Sequence, residues 1–375
     1  YYLNSFDPKQ ADLNWRNPEV RDAMYDAMRF WYDRGVDGFR IDVLNIMIKD
    51  ARLRDDPANP DWKPGSDPGT LNERVYSEDR PEVHEVVKEM RQLADSYDER
   101  VLIGEIYLPV ERLMAYYGEK MDGVHLPFNF QLILLEDWSA AKVRSIVEGY
   151  EAALPEGGWP NWVLGNHDQS RVASRIGPER ARLAQMLLLT LRGTPTVYYG
   201  DEIGMHDVEI PEHRIVDPRG KDQPEFSRDP ARTPMQWDDS PGAGFTGGDP
   251  WLPVANDLTK INVAVQEEDP ASMLTFFRSL THLRRKFPAL SVGSYLPLES
   301  GEEAVFAYRR EYDGERVVVA LNFSDLTKRL DLLETNNGGE MLCSTHLDRA
   351  GALEPGRLEL RPYEGVVILL DSGRD

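Results

Sequence analysis

Cysteine is nearly absent from this 375-residue chain. Cys343 stands alone, so no internal disulfide can form, and a reducing, cytoplasmic setting is expected. Positive charge is scarce as well. Asp and Glu number 65 against 43 Lys and Arg, a net charge of −22. That balance speaks against nucleic acid and against an anionic membrane surface as partners, since both attract basic patches. No apolar run approaches the ~20 residues of a membrane-spanning helix; Leu187-Leu-Leu189 reads as part of a short amphipathic helix. The seven histidines show neither HxH nor HExxH spacing, so a metal hydrolase has little support and no metal or other cofactor is expected. The chain starts at Tyr1 rather than Met, so the lack of a visible signal peptide carries little weight. Nothing in the composition speaks to oligomeric state.

What is present is an alternation of helices and short apolar strands. Asn17 caps a helix opened by Pro18, with Val20, Met24, Ala27, Met28 and Trp31 as its apolar stripe and Gly35 after its end. The stretch 36–45 then reads as a buried strand with Arg40 and Asp42 on one face, because side chains alternate along a strand. A Pro-rich polar loop follows from about 45 to 80, and loops of that length in compact domains are functional or disordered. A helix opened by Pro81 carries Val83, Val86, Val87, Met90 and Leu93 on one side, with His84 beside them read as surface. It leads to a strand at 101–105. Further strands are expected at 123–130, weakened by Pro127, at 162–168 and at 195–202. Helices are expected around 139–153, 179–192 (with Gly193 as C-terminal cap) and 271–287. From about Ser291 the helices stop. Short strands at 304–309, 316–322, 357–360 and 365–370, with turn signals at Asp313-Gly314 and Asn337-Gly338-Gly339, predict a small antiparallel β-sandwich.

Strands alternating with helices imply a parallel sheet. Four of these strands end in acids: Asp42, Glu105, Asp168 and the Asp201-Glu202 pair. In a parallel α/β barrel the functional residues collect at the C-terminal ends of the strands, so barrel closure would gather these acids around one mouth. Carboxylates so gathered cannot all titrate normally. One is pushed up and serves as general acid while another stays ionised, which is what glycoside hydrolysis requires. Arg40 beside Asp42 would hold that carboxyl ionised. For the 36–45 strand alone a purely structural ion pair is equally good; the recurrence of the pattern downstream favours the chemical reading.

Five segments stand in order along the chain: Gln10-Ala-Asp-Leu-Asn14, Gly38-Phe-Arg-Ile-Asp42, Ile103-Gly-Glu105, Asn166-His-Asp-Gln169 and Arg232-Thr-Pro-Met-Gln-Trp237. Together they resemble the α-glucosidase branch of the α-amylase superfamily, glycoside hydrolase family thirteen. The resemblance implies an α/β fold, a (β/α)8 TIM barrel of which only the C-terminal part, about five β/α units, is present over 1–290. The tail of the family's inserted domain would occupy 1–17 and an antiparallel β-sandwich domain 291–375. It implies a retaining, exo-acting α-glucosidase that removes terminal α-linked glucose from maltose and short oligosaccharides, with α-1,4 linkages favoured and α-1,6 the second option. Asp42 would be the nucleophile and Glu105 the acid/base. Asp168 would stabilise the transition state, Arg40 orient Asp42, and His167 and Arg232 bind the sugar. A retaining pair should have its carboxyls about 5–5.5 Å apart. Asp201 and Glu202 are expected to be structural, and Trp237 and Trp251 could stack on sugars, although large aromatics more commonly serve packing.

Transglycosylating relatives, such as a trehalose-forming maltose isomerase or a sucrose-acting enzyme, share every one of these motifs. Non-catalytic family members are the other alternative, and the presence of all three carboxylates speaks against them. The family's first three strands and its calcium-type loop have no counterpart in the sequence. The chain is therefore expected to be the C-terminal part of a longer protein, unstable or inactive alone.

Overall fold

The computed structural model describes residues 2–330, 338–356 and 358–371. Asn337 of the second turn signal and Arg357 of the third expected β-domain strand lie outside these described residues. By compactness the chain divides into a first unit, Tyr1–Asn129 with Tyr150–Asn161, and a second, Phe130–Gly149 with Trp162–Asp375.

The first unit opens with α1 (Pro18–Tyr32), where the Asn17 side chain accepts from the Glu19 N–H and Pro18 fills the first helical position. Its buried face is Tyr25, Met28 and Tyr32, one step round from the expected stripe, and Trp31 is left exposed. The reason is that both tyrosines find partners. The Tyr25 hydroxyl donates to Glu89 at 2.6 Å, and the Tyr32 ring packs on Phe39 and Tyr97. After α1 come β1 (Gly38–Ile41), α2 (Val83–Asp95), β2 (Val101–Gly104), α3 (Val110–Leu113) and β3 (Leu126–Pro127). The strands form a parallel sheet in the order β1-β2-β3. Gly38 is required where β1 meets β2, since a Cβ there would lie 2.2 Å from the Val101 carbonyl oxygen. Among the described residues β1 pairs on one side only, and it is partly rather than fully buried. β3 shrinks to two residues because Pro127 has no N–H to extend the ladder.

The 45–80 loop is ordered by its own carboxylates. Asp50 takes a two-pronged contact from Arg54, at 3.0 and 2.7 Å, and Asp56 accepts from the Tyr76 N–H and the Ser77 hydroxyl. His84 is partly exposed, its side chain 35% accessible, but it is not free. Its ring packs on Tyr116 with centroids 4.7 Å apart and lies 4.0 Å from Asp79, because α2 turns that flank toward the 3-10 turn Met114–Tyr117.

α4 (Ala140–Ala153) and β4 (Asn161–Val163) straddle the division between the units. The second unit continues with α5 (Val172–Ile176), α6 (Pro178–Thr190) and β5 (Thr194–Thr196), which pairs with β4. α6 is not amphipathic in its second half: Leu183 to Thr190 are all buried. One flank packs on a later helix, and Leu183 and Met186 press on Gly365 of the β domain. A helix covered on every side reads as apolar all round. It ends at Leu191, where the chain turns extended, not at Gly193. β5 stops well short of the expected strand because Gly200, at φ 85°, turns the chain into the 3-10 turn Asp201–Ile203.

Four helices follow: α7 (Pro218–Asp222), α8 (Val263–Glu268), α9 (Met273–Lys286) and α10 (Pro288–Ser291). The irregular excursion between β5 and α8 is tied down by Met205 and Met235 packing on Leu274. The last strands are β6 (Ser294–Leu298), β7 (Val305–Tyr312), β8 (Glu315–Asn322), β9 (Lys328–Leu330), β10 (Gly339–Ser344), β11 (Gly351–Leu353), β12 (Leu358–Leu360) and β13 (Gly365–Leu370). Six form an antiparallel sheet in the order β11-β10-β13-β8-β7-β6, and β12-β9 form a separate ribbon. Leu330, Leu358 and Leu360 of the ribbon share one core with Val318, Ala320, Val366 and Ile368 of the sheet, so this part is a sandwich. β8 is buried on both faces from Val317 to Leu321, because its far side is covered by α6 and α10. The neighbouring Arg310 on β7 is fully buried and donates to the carbonyls of Thr190, Leu290, Gly293 and Ser294.

Candidate active site

In the first unit, parallel pairing sets two acids side by side. Ile41 lies opposite Gly104, so the next residues on the two strands are Asp42 and Glu105. The backbone continues the ladder past the strands, with Glu105 N–H on the Ile41 carbonyl and Leu44 N–H on the Glu105 carbonyl, both at 3.0 Å. Arg40 serves both acids: one guanidinium nitrogen donates to Asp42 Oδ1 and the other to Glu105 Oε2, the latter at 2.6 Å. The Val43 N–H donates to the same Oε2 at 3.1 Å. Val43 achieves this in the left-handed region, φ 37° and ψ 49°, an unusual conformation for a β-branched residue.

The two acids differ sharply in exposure. The Asp42 side chain is 72% exposed and that of Glu105 3%. Burial pushes the Glu105 carboxyl up to about 7. The Val43 N–H and the Arg40 charge pull it down, and the neighbouring Asp42 pushes it up. An exposed carboxyl next to a buried acid that holds its proton near neutrality is the pairing needed for nucleophilic attack with proton donation.

In the second unit, the turn after β4 is folded by Asn166, whose side-chain oxygen accepts from the N–H groups of Asp168 and Gln169 at 2.9 and 3.0 Å. Asp168 Oδ1 accepts from two guanidiniums, Arg228 Nη1 and Arg232 Nη2, each at 3.0 Å. Arg232 Nε also donates to the His167 carbonyl at 2.7 Å, and His167 Nε2 lies 3.5 Å from Asp168 Oδ2. Below the turn, Asp201 is buried and its carboxyl is raised to about 7 by that burial. A Cβ on Gly165 would lie 2.7 Å from its Oδ2, so the turn rests directly on this acid.

The residues singled out from sequence thus fall into two sets. Arg40, Asp42 and Glu105 are together in the first unit; His167, Asp168 and Arg232 are together in the second. Arg228 and its partner Asp217 were not anticipated. The available signal was a second arginine four residues before Arg232, across the 3-10 turn Asp229–Ala231. Trp237 and Trp251 are 50% and 76% exposed. Among the described residues no group of three or more His, Cys, Asp or Glu is arranged to hold a metal ion.

Comparison with known proteins gives the class first. The Alpha amylase catalytic domain family matches residues 1–293. Maltase A1 of Drosophila melanogaster is 36% identical over 98% of this chain and 69% of its own length. The α-glucosidase of Apis mellifera is 37% identical over 90% of this chain and 60% of its own. The oligo-1,6-glucosidase of Parageobacillus thermoglucosidasius is 34% identical over 98% and 71%. Among solved structures, the α-glucosyl transfer enzyme XgtA superposes with a TM-score of 0.89 at 36% identity, covering 99% of this chain and 70% of that one. A trehalulose synthase from Pseudomonas mesoacidophila gives 0.84 at 30% identity, covering 99% and 72%. The chain spans between three fifths and about seven tenths of the length of these relatives. It belongs to the α-amylase family of glycoside hydrolases, and its α/β part carries that family's catalytic-domain fold.

Proposed function

We propose that the protein is a retaining, exo-acting α-glucosidase. The observation that carries this is the Arg40-bridged pair, an exposed Asp42 beside a buried Glu105 whose carboxyl is raised to about 7. In the first step Glu105 gives its proton to the glycosidic oxygen while Asp42 attacks the anomeric carbon, and the leaving group departs as an alcohol. In the second, Glu105 takes a proton from water, and that water displaces Asp42 and restores the α configuration. Asp168, held by Arg228 and Arg232, carries sugar hydroxyls and stabilises positive charge developing on the ring, with His167 as a further donor.

The names of the relatives, maltase, α-glucosidase and oligo-1,6-glucosidase, support terminal α-linked glucose as the substrate unit, α-1,4 before α-1,6. Residues 1–290 would form the catalytic part and 291–375 a separate β domain, since the strands of the six-stranded antiparallel sheet and of the β12-β9 ribbon, among the described residues, begin at or after Ser294. Cytoplasmic residence belongs to the same proposal and rests on the lone, buried cysteine.

The test is an NMR time course of the sugar released from maltose, isomaltose and sucrose by the full-length protein, with its Asp42→Asn variant run beside it. α-Glucose appearing first, and lost in the variant, supports the reading, and the preferred disaccharide assigns the linkage. β-Glucose appearing first would overturn retention. A rearranged disaccharide would replace hydrolysis by glucosyl transfer at the same residues.

A further inference from the structure

We infer that Asp217 is a positioning residue that acts through Arg228 to hold Asp168 in place, an inference that rests on the reading of Asp168 as the sugar-site carboxyl. Asp217 lies 49 residues beyond Asp168 in the chain and does not touch it. Its side chain is completely buried, in a segment that is otherwise largely exposed from Pro211 to Glu225. A buried carboxylate in such a place needs paired donors, and nearly all of them come from one residue. Arg228 donates to Asp217 through its backbone N–H at 2.9 Å, through Nε at 3.0 Å and through Nη2 at 2.7 Å. Among the described residues the remaining donor is the Arg219 N–H at 3.4 Å, where Asp217 caps α7.

A guanidinium is planar and its donors are fixed relative to one another. With Nε and Nη2 committed to Asp217 as a two-pronged fork, the plane of Arg228 is set. Nη1 is the nitrogen left for another acceptor, and it meets Asp168 Oδ1 at 3.0 Å. A second lock runs the other way. Asp229, next to Arg228, accepts the N–H groups of Val216 and Asp217 at 2.7 and 2.9 Å. Each of the two chain segments thus carries a carboxylate that holds the other's backbone, so Arg228 cannot shift along its segment while Asp217 stays. The fork also accounts for charge. Burial would raise the Asp217 carboxyl, but the hydrogen bonds and charge of Arg228 hold it down at about 2. Arg232 contacts Asp168 and the His167 carbonyl, so among the described residues it is Arg228, of the two arginines on Asp168, that is itself oriented by a buried acid.

Asp217→Asn keeps the shape and one acceptor but cannot take the charged fork. Kinetics on an α-glucoside, thermal unfolding and the exchange rate of the Arg228 Nε–H by 15N NMR would be measured for Asp217→Asn, Arg228→Ala, Arg228→Lys and the Asp217→Asn/Arg228→Ala double variant. The expected result is a kcat/KM lower by up to about 100-fold in Asp217→Asn, mostly in KM, with loss of the slowly exchanging Nε–H. The double variant should be no worse than Arg228→Ala alone, and Arg228→Lys, which keeps the charge without the fork, should match Asp217→Asn. A folded Asp217→Asn protein with unchanged kcat/KM, or one whose loss multiplies with that of Arg228→Ala, overturns the inference. If Asp217→Asn does not fold, Arg228→Lys decides: unchanged kcat/KM there is also a refutation. A full-length protein that releases no glucose refutes the functional reading, and the Nε–H exchange then tests the Asp217 link alone.

Discussion

The two sets of site residues use the same parts in opposite proportion. In the first unit one arginine, Arg40, faces two carboxyls, Asp42 and Glu105. In the second, two arginines, Arg228 and Arg232, face Asp168, with Asp217 as the second carboxyl behind one of them. The first set is one positive charge short of balance, so it favours keeping a proton, and the buried Glu105 is where that proton is held. The second set is balanced without one, and Asp217 sits at about 2. Proton transfer therefore belongs to the first set. Fixed charge, suited to binding and to a cationic transition state, belongs to the second.

The largest effects should come from breaking the first set. Asp42→Asn removes the proposed nucleophile, and kcat should fall by on the order of 10^4-fold or more with the protein still folded, because Asp42 is exposed. Glu105→Gln should cost about 10^2- to 10^4-fold in kcat, and less on a substrate whose leaving group needs no proton. Single-turnover kinetics on such an activated glucoside separate the two: Glu105→Gln should regain rate there and Asp42→Asn should not. Equal rescue of both would mean that the roles are wrongly divided. Arg232→Ala, on the balanced side, should raise KM more than it lowers kcat, by up to about 100-fold. A fall confined to kcat would place Arg232 in the chemical step.

The same contrast predicts opposite pH behaviour. Glu105 titrates at about 7 in the folded protein against 4.5 for the free group, so the folded state binds this proton more tightly than the unfolded chain. Its contribution to stability is full below 4.5 and is lost as pH rises through about 7, a change of a few kcal/mol. Asp217 runs the other way: held at about 2 against 3.8, it contributes stability above 3.8 that is lost as pH falls through about 2. Thermal unfolding followed from pH 2 to 8 should show both slopes, with Glu105→Gln removing the upper one. Activity should fall on the alkaline side near pH 7 as Glu105 loses its proton. Arg40→Met should move that limb upward, because the Arg40 charge pulls Glu105 down. A downward move would contradict the shared-guanidinium arrangement.

The first set was legible in the sequence and much of the second was not, for a physical reason. Asp42, Glu105 and Asp168 each close a short apolar run, and strand period and parallel pairing carry such positions to one end of a sheet. Arg228 lies in an excursion without periodicity, and its link to Asp168 spans 60 residues. Only the three-dimensional path brings them together. Asp217 was less visible still, an ordinary Asp-Pro helix start by pattern that turned out to be buried. Among the elements, α6 misled because a helix covered on all sides has no apolar stripe to read. The α1 face was misplaced by one step because Tyr25 buries its ring while its hydroxyl reaches Glu89, and Tyr32 buries its ring against Phe39 and Tyr97. Four strands of the β domain, β6, β9, β10 and β11, were not anticipated; β9 and β11 are three residues long and carry little alternation to read.

The smallest effect expected is at Val43, where backbone rather than charge tunes the first set. Its left-handed conformation should cost on the order of 1–2 kcal/mol for a residue with a Cβ, and it directs the N–H at Glu105 Oε2. Val43→Gly removes that strain, but it loosens the unfolded chain and the turn by up to about 1 kcal/mol. The two terms oppose, so unfolding free energy should change by no more than about 1 kcal/mol. The N–H survives the substitution, so Glu105 should titrate within about half a unit of its wild-type value by 13C NMR. Val43→Pro is the contrasting case: it lacks the N–H and fixes φ near −65°, so Glu105 should titrate higher, since one of the donors that favours its charged form is gone. If Val43→Gly raised the Glu105 titration as far as Val43→Pro, the valine side chain rather than its N–H would be what holds the acid in place.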